Sequence, residues 1–403
     1  MSSLVPEGWS KNTINECCEI LDSQRVPVNS EERAKRKGDY PYYGANGVQG
    51  YIDDYIFEGD AILLAEDGGN FDQYADRPIA QWVTGKFWVN NHAHILRAKD
   101  NATDKWIFYS LVHKNILKNI NGGTRAKLNQ SDLKEIEILL SPLPEQKKIV
   151  SILTSMDEVI ENTQKQIDKL QDLKKATMSE LLTKGIGHTE FKDSELGRIP
   201  KSWGISNIGK LTQFVTSGSR GWSQYYSSEG SLFIRIGNLT RDHINLKFAD
   251  IQLVEPPSGG EGTRTKVKVG DILVSITADL GVIGVVNESL REAYVNQHVC
   301  LVRLESVSDV NPRWVGHFLS GHAGQEQFEK KNDGGAKAGL NLPTIRSIVV
   351  PLPSPQEQNK VVRVLDRLDS EISIKQTKLA KHQSLKKSLM QDLLTGKVRV
   401  TVN

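Results

Sequence analysis

The sequence predicts an α+β protein in which two similar domains are separated by two long helices. We expect these helices to form an antiparallel coiled coil with pseudo-twofold symmetry. Three observations carry this prediction. The two halves of the 403-residue chain share a series of landmarks. Each half contains short β-prone runs separated by Gly, Asn and Asp. Each half then ends in about 40 residues that lack Gly and Pro and carry apolar residues at heptad spacing.

The internal repeat is clearest between residues 122–184 and 334–396, which align without gaps at an offset of 212 and are identical at roughly a third of positions. Earlier landmarks return at other offsets: VPEGW (5–9) with IPKSW (199–203), GDAIL (59–63) with GDILV (270–274), and VNNH (89–92) with VNQH (295–298). Two copies of this length indicate tandem domains, because solenoid repeats run to only ~20–50 residues. Residues 10–58 and 204–269 do not align. If the two copies share one scaffold but choose different targets, that choice should be made in these segments.

The repeat and the change of pattern after Pro144 set the predicted boundaries. They are an N-terminal domain at 1–144, a central long helix at 145–187, a linker at 188–198, a C-terminal domain at 199–355, and a C-terminal long helix and tail at 356–403. Within the domains, runs such as AILLA and KFWVN predict sheets of short strands. Trp9, Trp106, Trp203 and Trp314 recur at apolar positions, and we expect them to anchor the two cores.

Each long helix presents one apolar seam, which is interrupted by polar residues that include Lys174 and Lys386. The seams comprise Ile149, Leu153, Met156, Ile160, Ile167, Leu170 and Leu181 in the first helix, and Val361, Leu365, Leu368, Ile372, Leu379, Leu389 and Leu393 in the second. Each helix can supply the partner that the other seam needs, although heptads alone do not fix the orientation. A solvated dimerisation or spacer coiled coil is the alternative. The DLK triplets at 132–134 and 172–174 are interpreted as solvated helix charges.

The composition and the motifs exclude several classes of protein. Cys17, Cys18 and Cys300 cannot build a disulfide framework, and we expect them to be buried. No apolar run approaches the ~20 residues of a membrane helix, and the N-terminus does not resemble a signal peptide, so the expected location is the cytoplasm. A net charge of +2 and a pI near 8.2 require any basic surface to be local.

Motifs of the enzymes that modify or cleave DNA are also missing. The sequence contains no Asn-Pro-Pro-aromatic motif, no phosphate-binding GxGxxG or GxxxxGK[ST], and no Pro-Asp dipeptide that could open a nuclease site. We therefore expect no catalytic residue and no metal site. The repeated VN-x-H motif, in which Asn90 and His92 match Asn296 and His298, is interpreted as buried hydrogen bonding, because no carboxylate is evident near either His.

The order of domain, long helix, second domain and second helix resembles the specificity subunits of type I restriction-modification enzymes. The motifs that carry the resemblance are the P-x-x-W openings at 6–9 and 200–203, PLPEQKKIV and SPQEQNKVV at the starts of the helices, the linker FKDSELGRIP, and the terminal LLTGKVRV. The resemblance covers essentially the whole chain. It implies two target-recognition domains, each of which reads one half of a bipartite, asymmetric site in double-stranded DNA.

The resemblance also implies that the chain is a non-catalytic subunit without a cofactor of its own. The helices would set the spacer between the half-sites and dock two modification subunits, which carry the S-adenosylmethionine site and methylate adenine. Restriction subunits would add ATP-driven translocation and cleavage, and Mg is expected in the partner subunits as well. The alternative is a non-catalytic coiled-coil scaffold with paired protein-binding domains.

Candidate DNA contacts lie where cations, amides and Tyr cluster, since Arg and Lys reach phosphates and guanine while Asn and Gln pair with adenine. In the N-terminal domain they are Arg25, Arg33, Lys35, Arg36, Lys37, Tyr42, Tyr43 and Asn46, and in the C-terminal domain they are Ser219, Arg220, Trp222, Gln224, Arg235 and Asn238. The repeated Gly-Gly loops add Arg125, Lys127 and Lys337, for which we expect phosphate contacts. A solvated charge run at 33–37 and an ordinary turn after residue 217 are the alternatives.

Overall fold

The computed structural model describes residues 5–122, 126–287, 290–305, 309–332 and 339–402. The chain divides into two compact units. The N-terminal unit consists of Met1–Gln164 with Lys378–Asn403, and the C-terminal unit consists of Lys165–Thr377. Each unit therefore contains parts of both long helices. The continuous domain boundaries given above stay a prediction.

Before the first long helix, the described residues form ten short strands and four short α-helices. The strands are β1 (Ser10–Thr13), β2 (Cys18–Ile20), β3 (Tyr40–Gly44), β4 (Gly47–Ile52), β5 (Phe57–Glu58), β6 (Ala61–Ala65), β7 (Ala80–Val83), β8 (Lys86–Val89), β9 (Ala93–Ala98) and β10 (Glu137–Leu140). The helices are α1 (Ile14–Cys17), α2 (Ser30–Lys35), α3 (Asp104–Leu111), α4 (Gln130–Lys134) and the long α5 (Leu143–Leu181). They build sheets of order β2-β9-β6-β7 and β4-β3-β8-β5 and the pair β1-β10.

The second part of the chain repeats this plan. Its strands are β11 (Phe191–Ser194), β12 (Gly197–Pro200), β13 (Gly204–Asn207), β14 (Thr212–Ser217), β15 (Tyr226–Ser227), β16 (Ser231–Ile234), β17 (Leu253–Val254), β18 (Ile272–Ser275), β19 (Ile283–Val285), β20 (Ala293–Val295), β21 (Val299–Leu304) and β22 (Val349–Leu352). Its helices are α6 (Ile208–Leu211), α7 (Gly260–Thr265), α8 (Pro312–Ser320), α9 (His322–Lys330), α10 (Leu342–Ser347) and the long α11 (Pro355–Leu393).

Part of the sheet topology of one unit recurs in the other. The order β14-β21-β18-β19 repeats β2-β9-β6-β7, and the pair β13-β22 repeats β1-β10. Among the described strands, each unit contains one parallel pair, β3 with β8 and β16 with β20. The prediction of two similar α+β domains is confirmed.

The central strand of each unit is buried on both faces. In β6, Ile62 and Leu64 face one hydrophobic core while Leu63 faces another. In β18, Ile272 and Leu273 divide in the same way. Alternate side chains point to opposite faces of a strand, so a strand that lies between two cores must be apolar at every position. This explains the uninterrupted run AILLA.

The four repeated tryptophans anchor the cores, as predicted. Trp9 and Trp106 meet edge to face with ring centres 5.5 Å apart, and Trp203 and Trp314 do so at 5.6 Å. All four are buried, as are the three free cysteines. Each domain therefore closes around an equivalent aromatic pair. Among the described residues, no helix is both long and apolar enough to cross a lipid bilayer.

Each long helix spans 39 residues. In the N-terminal unit, Leu153 near the start of α5 shares a core with Leu393 at the end of α11. In the C-terminal unit, Met178 near the end of α5 packs on the core that contains Val361 near the start of α11.

Within the N-terminal unit, Asp157 pairs with Lys386 while the earlier Glu145 pairs with Arg399 beyond the end of α11. Within the C-terminal unit, Lys174 pairs with Asp369 while the later Leu182 shares a core with the earlier Val361. The helix segments therefore run antiparallel within each unit. The predicted seam residues in the described chain are all buried or partly buried.

Candidate nucleic-acid interface

The basic run of the N-terminal unit ends helix α2 and continues past it. Lys35 and Lys37 are exposed, whereas Arg33 and Arg36 are partly buried. Arg36 pairs with Asp53 at 2.8 Å, and both arginines lie over aromatic rings of the neighbouring sheet, 4.6 and 4.9 Å from the ring centres. Stacking holds the two arginines against the sheet. The lysine ammonium groups stay in solvent, where they can reach a phosphate.

The two tyrosines after this run belong to strand β3. Tyr42 is 1% exposed. Its hydroxyl donates to the Val28 carbonyl at 3.0 Å and accepts from the Val28 N–H at 3.1 Å. Tyr43 is half-buried and packs edge-on against Phe87, and burial raises the pKa of its hydroxyl. Tyr42 is a core residue, so its assignment as a DNA contact is corrected.

Arg25 belongs to a buried network of charges. Its guanidinium donates to Glu66 at 2.7 Å, and its side chain is only 14% exposed. The His94 ring lies between the Asp22 carboxylate at 2.6 Å and the Leu128 carbonyl at 2.9 Å. Burial opposes the ionisation of Asp22, but the His94 hydrogen bond and the charges of His94 and Arg25 outweigh it and lower the Asp22 pKa. Arg25 is thus a structural cation and is removed from the DNA contacts.

Within the part of the chain that the structure describes, two clusters have the spacing that a metal ion would need. They are Asp22, Glu66 and His94 in the N-terminal unit and His317, Asp366 and Asp369 in the C-terminal unit. The first cluster already contains the Arg25 guanidinium. In the second, Arg313 pairs with Asp366 at 2.7 Å and Lys174 pairs with Asp369 at 2.5 Å. Because protein cations compensate these carboxylates, we assign both clusters to structural ion pairing.

A polar cleft lies where β3, β6 and β8 end. We call it the amide cleft. It has a volume of about 310 Å³ and is lined by Ala45, Asn46, Gly47, Val48, Gln49, Asp67, Gly68 and His92. The Asn46 amide donates to the Gly68 carbonyl at 2.8 Å, and Asn90 donates to Gln49 at 3.0 Å. Asn46 and Gln49 are both exposed, and Gln49 was missed because it sits in a strand without neighbouring cations. The cleft offers amide groups of the kind that pair with base edges.

The VN-x-H motif forms the same turn in both copies. The buried Asn90 side chain accepts from the backbone N–H of His92 at 2.8 Å, and buried Asn296 accepts from that of His298 at 3.0 Å. This confirms the hydrogen-bonding interpretation. The expectation that no carboxylate lies near the first His is wrong, since its ring lies 2.6 Å from Asp67. Sequence reasoning missed this pair because Asp67 and His92 are 25 positions apart in the chain, with strands β7 and β8 between them.

The described residues that follow each Gly-Gly pair bridge to the loop after the central strand of the domain. Lys127 forms a backbone bridge with Asp67, and Gly339 forms one with Thr277. The Lys127 ammonium lies 3.3 Å from Glu66 and is 48% exposed. Lys127 is therefore accessible to a phosphate. The other two cations predicted here, Arg125 and Lys337, lie outside the described residues.

In the C-terminal unit, Arg264 holds the loop that follows β14. Its guanidinium donates to the Ser217 carbonyl at 2.7 Å and to the Ser219 hydroxyl at 2.8 Å. Arg220 and Gln224 are exposed, and Arg220 makes no ion pair or hydrogen bond within the described part of the chain. Arg264 was missed because its anchoring role depends on long-range packing. Arg264 thus tethers the loop on which the exposed Arg220 lies.

Three residues predicted as contacts in this unit have structural roles. Trp222 is 3% exposed and stacks on Phe233 at 5.2 Å. Asn238 is also buried, and its amide donates to two backbone carbonyls at 3.0 Å. Arg235 is half-buried and pairs with Asp250 at 2.8 Å. Trp222 and Asn238 are corrected to core residues, because their polar groups are already satisfied inside the fold.

Comparison with known proteins shows the family to which the chain belongs. The family model described as "Type I restriction modification DNA specificity domain" matches residues 6–172 and 235–382, well over half of the chain. The chain belongs to this specificity-domain family. The MjaVIII type I restriction enzyme specificity subunit of Methanocaldococcus jannaschii is 26% identical over 416 residues, which cover 98% of this chain and 94% of that protein.

Solved structures of the specificity family share the fold. The S subunit of a type I system from M. genitalium has a TM-score of 0.65 at 17% identity and covers 100% of this chain and 98% of its own. A chain from a study of complex assembly in a type I restriction-modification system has a TM-score of 0.52 at 14% identity, over 98% of this chain and 99% of that chain. The second specificity-domain match begins at residue 235, so Arg220 and Gln224 lie in a segment outside the family pattern.

Proposed function

We propose that the chain is the DNA-specificity subunit of a type I restriction-modification complex and that each recognition domain reads one half of a bipartite site. The duplication carries this proposal. Two domains that share one four-stranded sheet and an equivalent tryptophan pair present different exposed polar groups. A shared frame with different loops suits a site whose two halves differ in sequence.

Exposure selects which predicted residues serve as DNA contacts. We assign phosphate contacts to Lys35, Lys37, Lys127 and Arg220, because their cationic heads are accessible. We assign base contacts to Asn46 and Gln49 in the amide cleft and to Gln224 in the second domain, because amides pair with adenine through a donor and an acceptor together. Arg125 and Lys337 remain candidates from the sequence.

The long helices would set the spacer between the half-sites and dock the modification subunits. In this proposal they form one antiparallel coiled coil that relates the two domains by a pseudo-twofold axis. The antiparallel packing found within each unit supports it. A rod with a reader for each half-site suits DNA, whose major groove returns to the same face every ~34 Å.

The chemistry would reside in the partners. Two modification subunits would supply the S-adenosylmethionine site and methylate adenine, and restriction subunits would use ATP and Mg. This chain would act without a cofactor and in the cytoplasm, where its DNA lies. The family membership and the neighbour from a type I assembly support these partners.

Selection from random double-stranded DNA tests the proposal. The chain is co-expressed with its modification subunit, and bound DNA is sequenced after selection at two salt concentrations. We expect a split motif with a fixed gap and an affinity that falls steeply with salt, because neutralised phosphates release counterions. A folded, assembled complex that enriches no motif would contradict the proposal.

A further inference from the structure

A buried ion pair joins the two long helices in the C-terminal unit. The Lys174 ammonium lies 2.5 Å from the Asp369 carboxylate. Their side chains are 11% and 2% exposed, and Lys174 also donates to the Asp242 carbonyl at 2.5 Å. Among the described residues, Lys174 is the salt-bridge partner of Asp369. Removing either partner would leave the other charge buried without its ion-pair partner.

A second ion pair joins the same helices in the N-terminal unit. Lys386 pairs with Asp157, and the side chains are 21% and 39% exposed. The Tyr109 hydroxyl also donates to Asp157 at 2.6 Å. This pair is held by the domain as well as by the helices.

The two pairs are copies of each other in the internal repeat. At the offset of 212, Lys174 corresponds to Lys386 and Asp157 corresponds to Asp369. The repeat therefore places one Lys and one Asp on each helix, 17 positions apart. An antiparallel pair of helices brings each Lys beside the other helix's Asp, which is the arrangement in both units.

Other arrangements of the same helices would separate these charges. In a parallel coiled coil in register, equivalent heptad positions meet, so Lys174 would face Lys386. Lys174 and Asp369 would then lie ~26 Å apart at 1.5 Å per residue. An antiparallel slip of one heptad would move the partners of both pairs ~10 Å past each other. The apolar seam accepts such slips, since its residues repeat every heptad.

We propose that the duplicated Lys–Asp pair selects the antiparallel orientation and fixes the register of the two helices. The helix register would in turn fix the spacing of the DNA half-sites, and this part of the inference rests on the proposed function. These four residues are positioning residues, since they act through the helices. A polar residue at a core position of a coiled coil commonly specifies register at a cost in stability.

Thiol cross-linking in the full chain, co-expressed with its modification subunit, measures the register without DNA. Gln166→Cys with Lys375→Cys reports the native register, because the two native side chains hydrogen-bond at 2.6 Å. Leu173→Cys with Lys375→Cys reports a slip of one heptad. The parent chain without added cysteines is the control, since its three native cysteines are buried.

Two sets of variants are compared in these reporters. Changing Asp157 and Asp369 to Lys should lower native-register cross-linking at least tenfold. Exchanging both partners in both pairs should restore it to within twofold. Replacing all four charges by Leu should keep the chain folded, because an apolar core tolerates such an exchange, and should produce cross-links in the slipped reporter.

The inference is overturned if the all-Leu variant cross-links only in the native register, or if the exchanged pairs fail to restore it in a chain folded by circular dichroism. DNA selection provides a separate reading. We expect the all-Leu variant to recover the same half-sites with additional spacer lengths. If no variant enriches a motif while the cross-links behave as expected, the proposed function is wrong, but the role of the Lys–Asp pairs in fixing the helix register is supported.

Discussion

At the scale of single residues, burial decides which charged side chains are accessible to a ligand. Arg25 and Lys35 lie close together in the sequence, but Arg25 is paired inside the domain and Lys35 is exposed. Replacing Arg25 by Ala would remove the guanidinium that pairs with both Asp22 and Glu66 inside the domain. We expect a loss of about 3–5 kcal/mol in the free energy of unfolding, measured by urea denaturation. Lys35→Ala is the control and should change it by about 0.5 kcal/mol or less.

The lowered pKa of Asp22 makes part of this stability depend on pH. Its pKa in the folded protein lies below the ~3.9 of an unfolded chain. The contribution is therefore complete above that value and is lost as the pH falls through the folded pKa. We expect Asp22→Asn to be less stable than the parent at pH 7, and the difference to shrink below about pH 4. Urea midpoints at both pH values that differ by the same amount would contradict this.

Arg220 tests the assignment of DNA contacts in the second domain. Its head is exposed on a loop tethered by Arg264. If Arg220 contacts a phosphate, Arg220→Ala should weaken DNA binding by about tenfold and reduce the salt slope by about one. Arg198→Ala, an exposed arginine on β12, is the matched control. Equal affinities for both variants in fluorescence anisotropy would remove Arg220 from the interface.

At the scale of elements, one glutamate near the start of each long helix, buried in the first helix and partly buried in the second, ties that helix to its domain. Glu145 accepts from Trp9 at 3.0 Å and from Arg399 of the C-terminal tail at 2.7 Å. These hydrogen bonds and the Arg399 charge outweigh burial and lower the Glu145 pKa. The equivalent Glu357 accepts from Trp203 at 3.1 Å. The start of a long helix and its domain are therefore one folding element.

Removing this glutamate should release the tail. Glu145→Ala deletes the acceptor of both Trp9 and Arg399, and losing a charged hydrogen-bond partner costs about 1.5–3 kcal/mol. We expect faster amide hydrogen exchange in residues 395–400, while the rest of α5 stays protected. Glu158→Ala, an exposed position on the same helix, is the control. Unchanged exchange of the tail in the Glu145 variant would show that other contacts hold it.

At the scale of the whole molecule, the proposed function requires two readers that act independently. Asn46 and Gln224 belong to different units. We expect Asn46→Ala and Gln224→Ala each to relax specificity in one half of the recovered DNA motif, by about 1–3 kcal/mol per base contact. The double variant should lose the sum within about 0.5 kcal/mol, because distant sites add. A coupling above that value would mean that the half-sites are read together.

The sequence by itself determined the duplication, the α+β class, the tryptophan anchors and the two long helices. Each of these follows from periodicity or repetition along the chain, which can be recognised without knowledge of the fold. Even the seam interruption Lys174 was visible. Its partner was not, because Asp369 lies almost 200 residues away.

Only the tertiary structure decided which polar residues are available to a ligand. Tyr42, Trp222 and Asn238 look like contact residues in the sequence, but they are buried and hydrogen-bonded or stacked. Gln49 and Arg264 carry no local signal, yet one lines the amide cleft and the other tethers a loop. The physical reason is that exposure and ion pairing depend on residues distant in sequence, which are brought together only when strands pair and cores close.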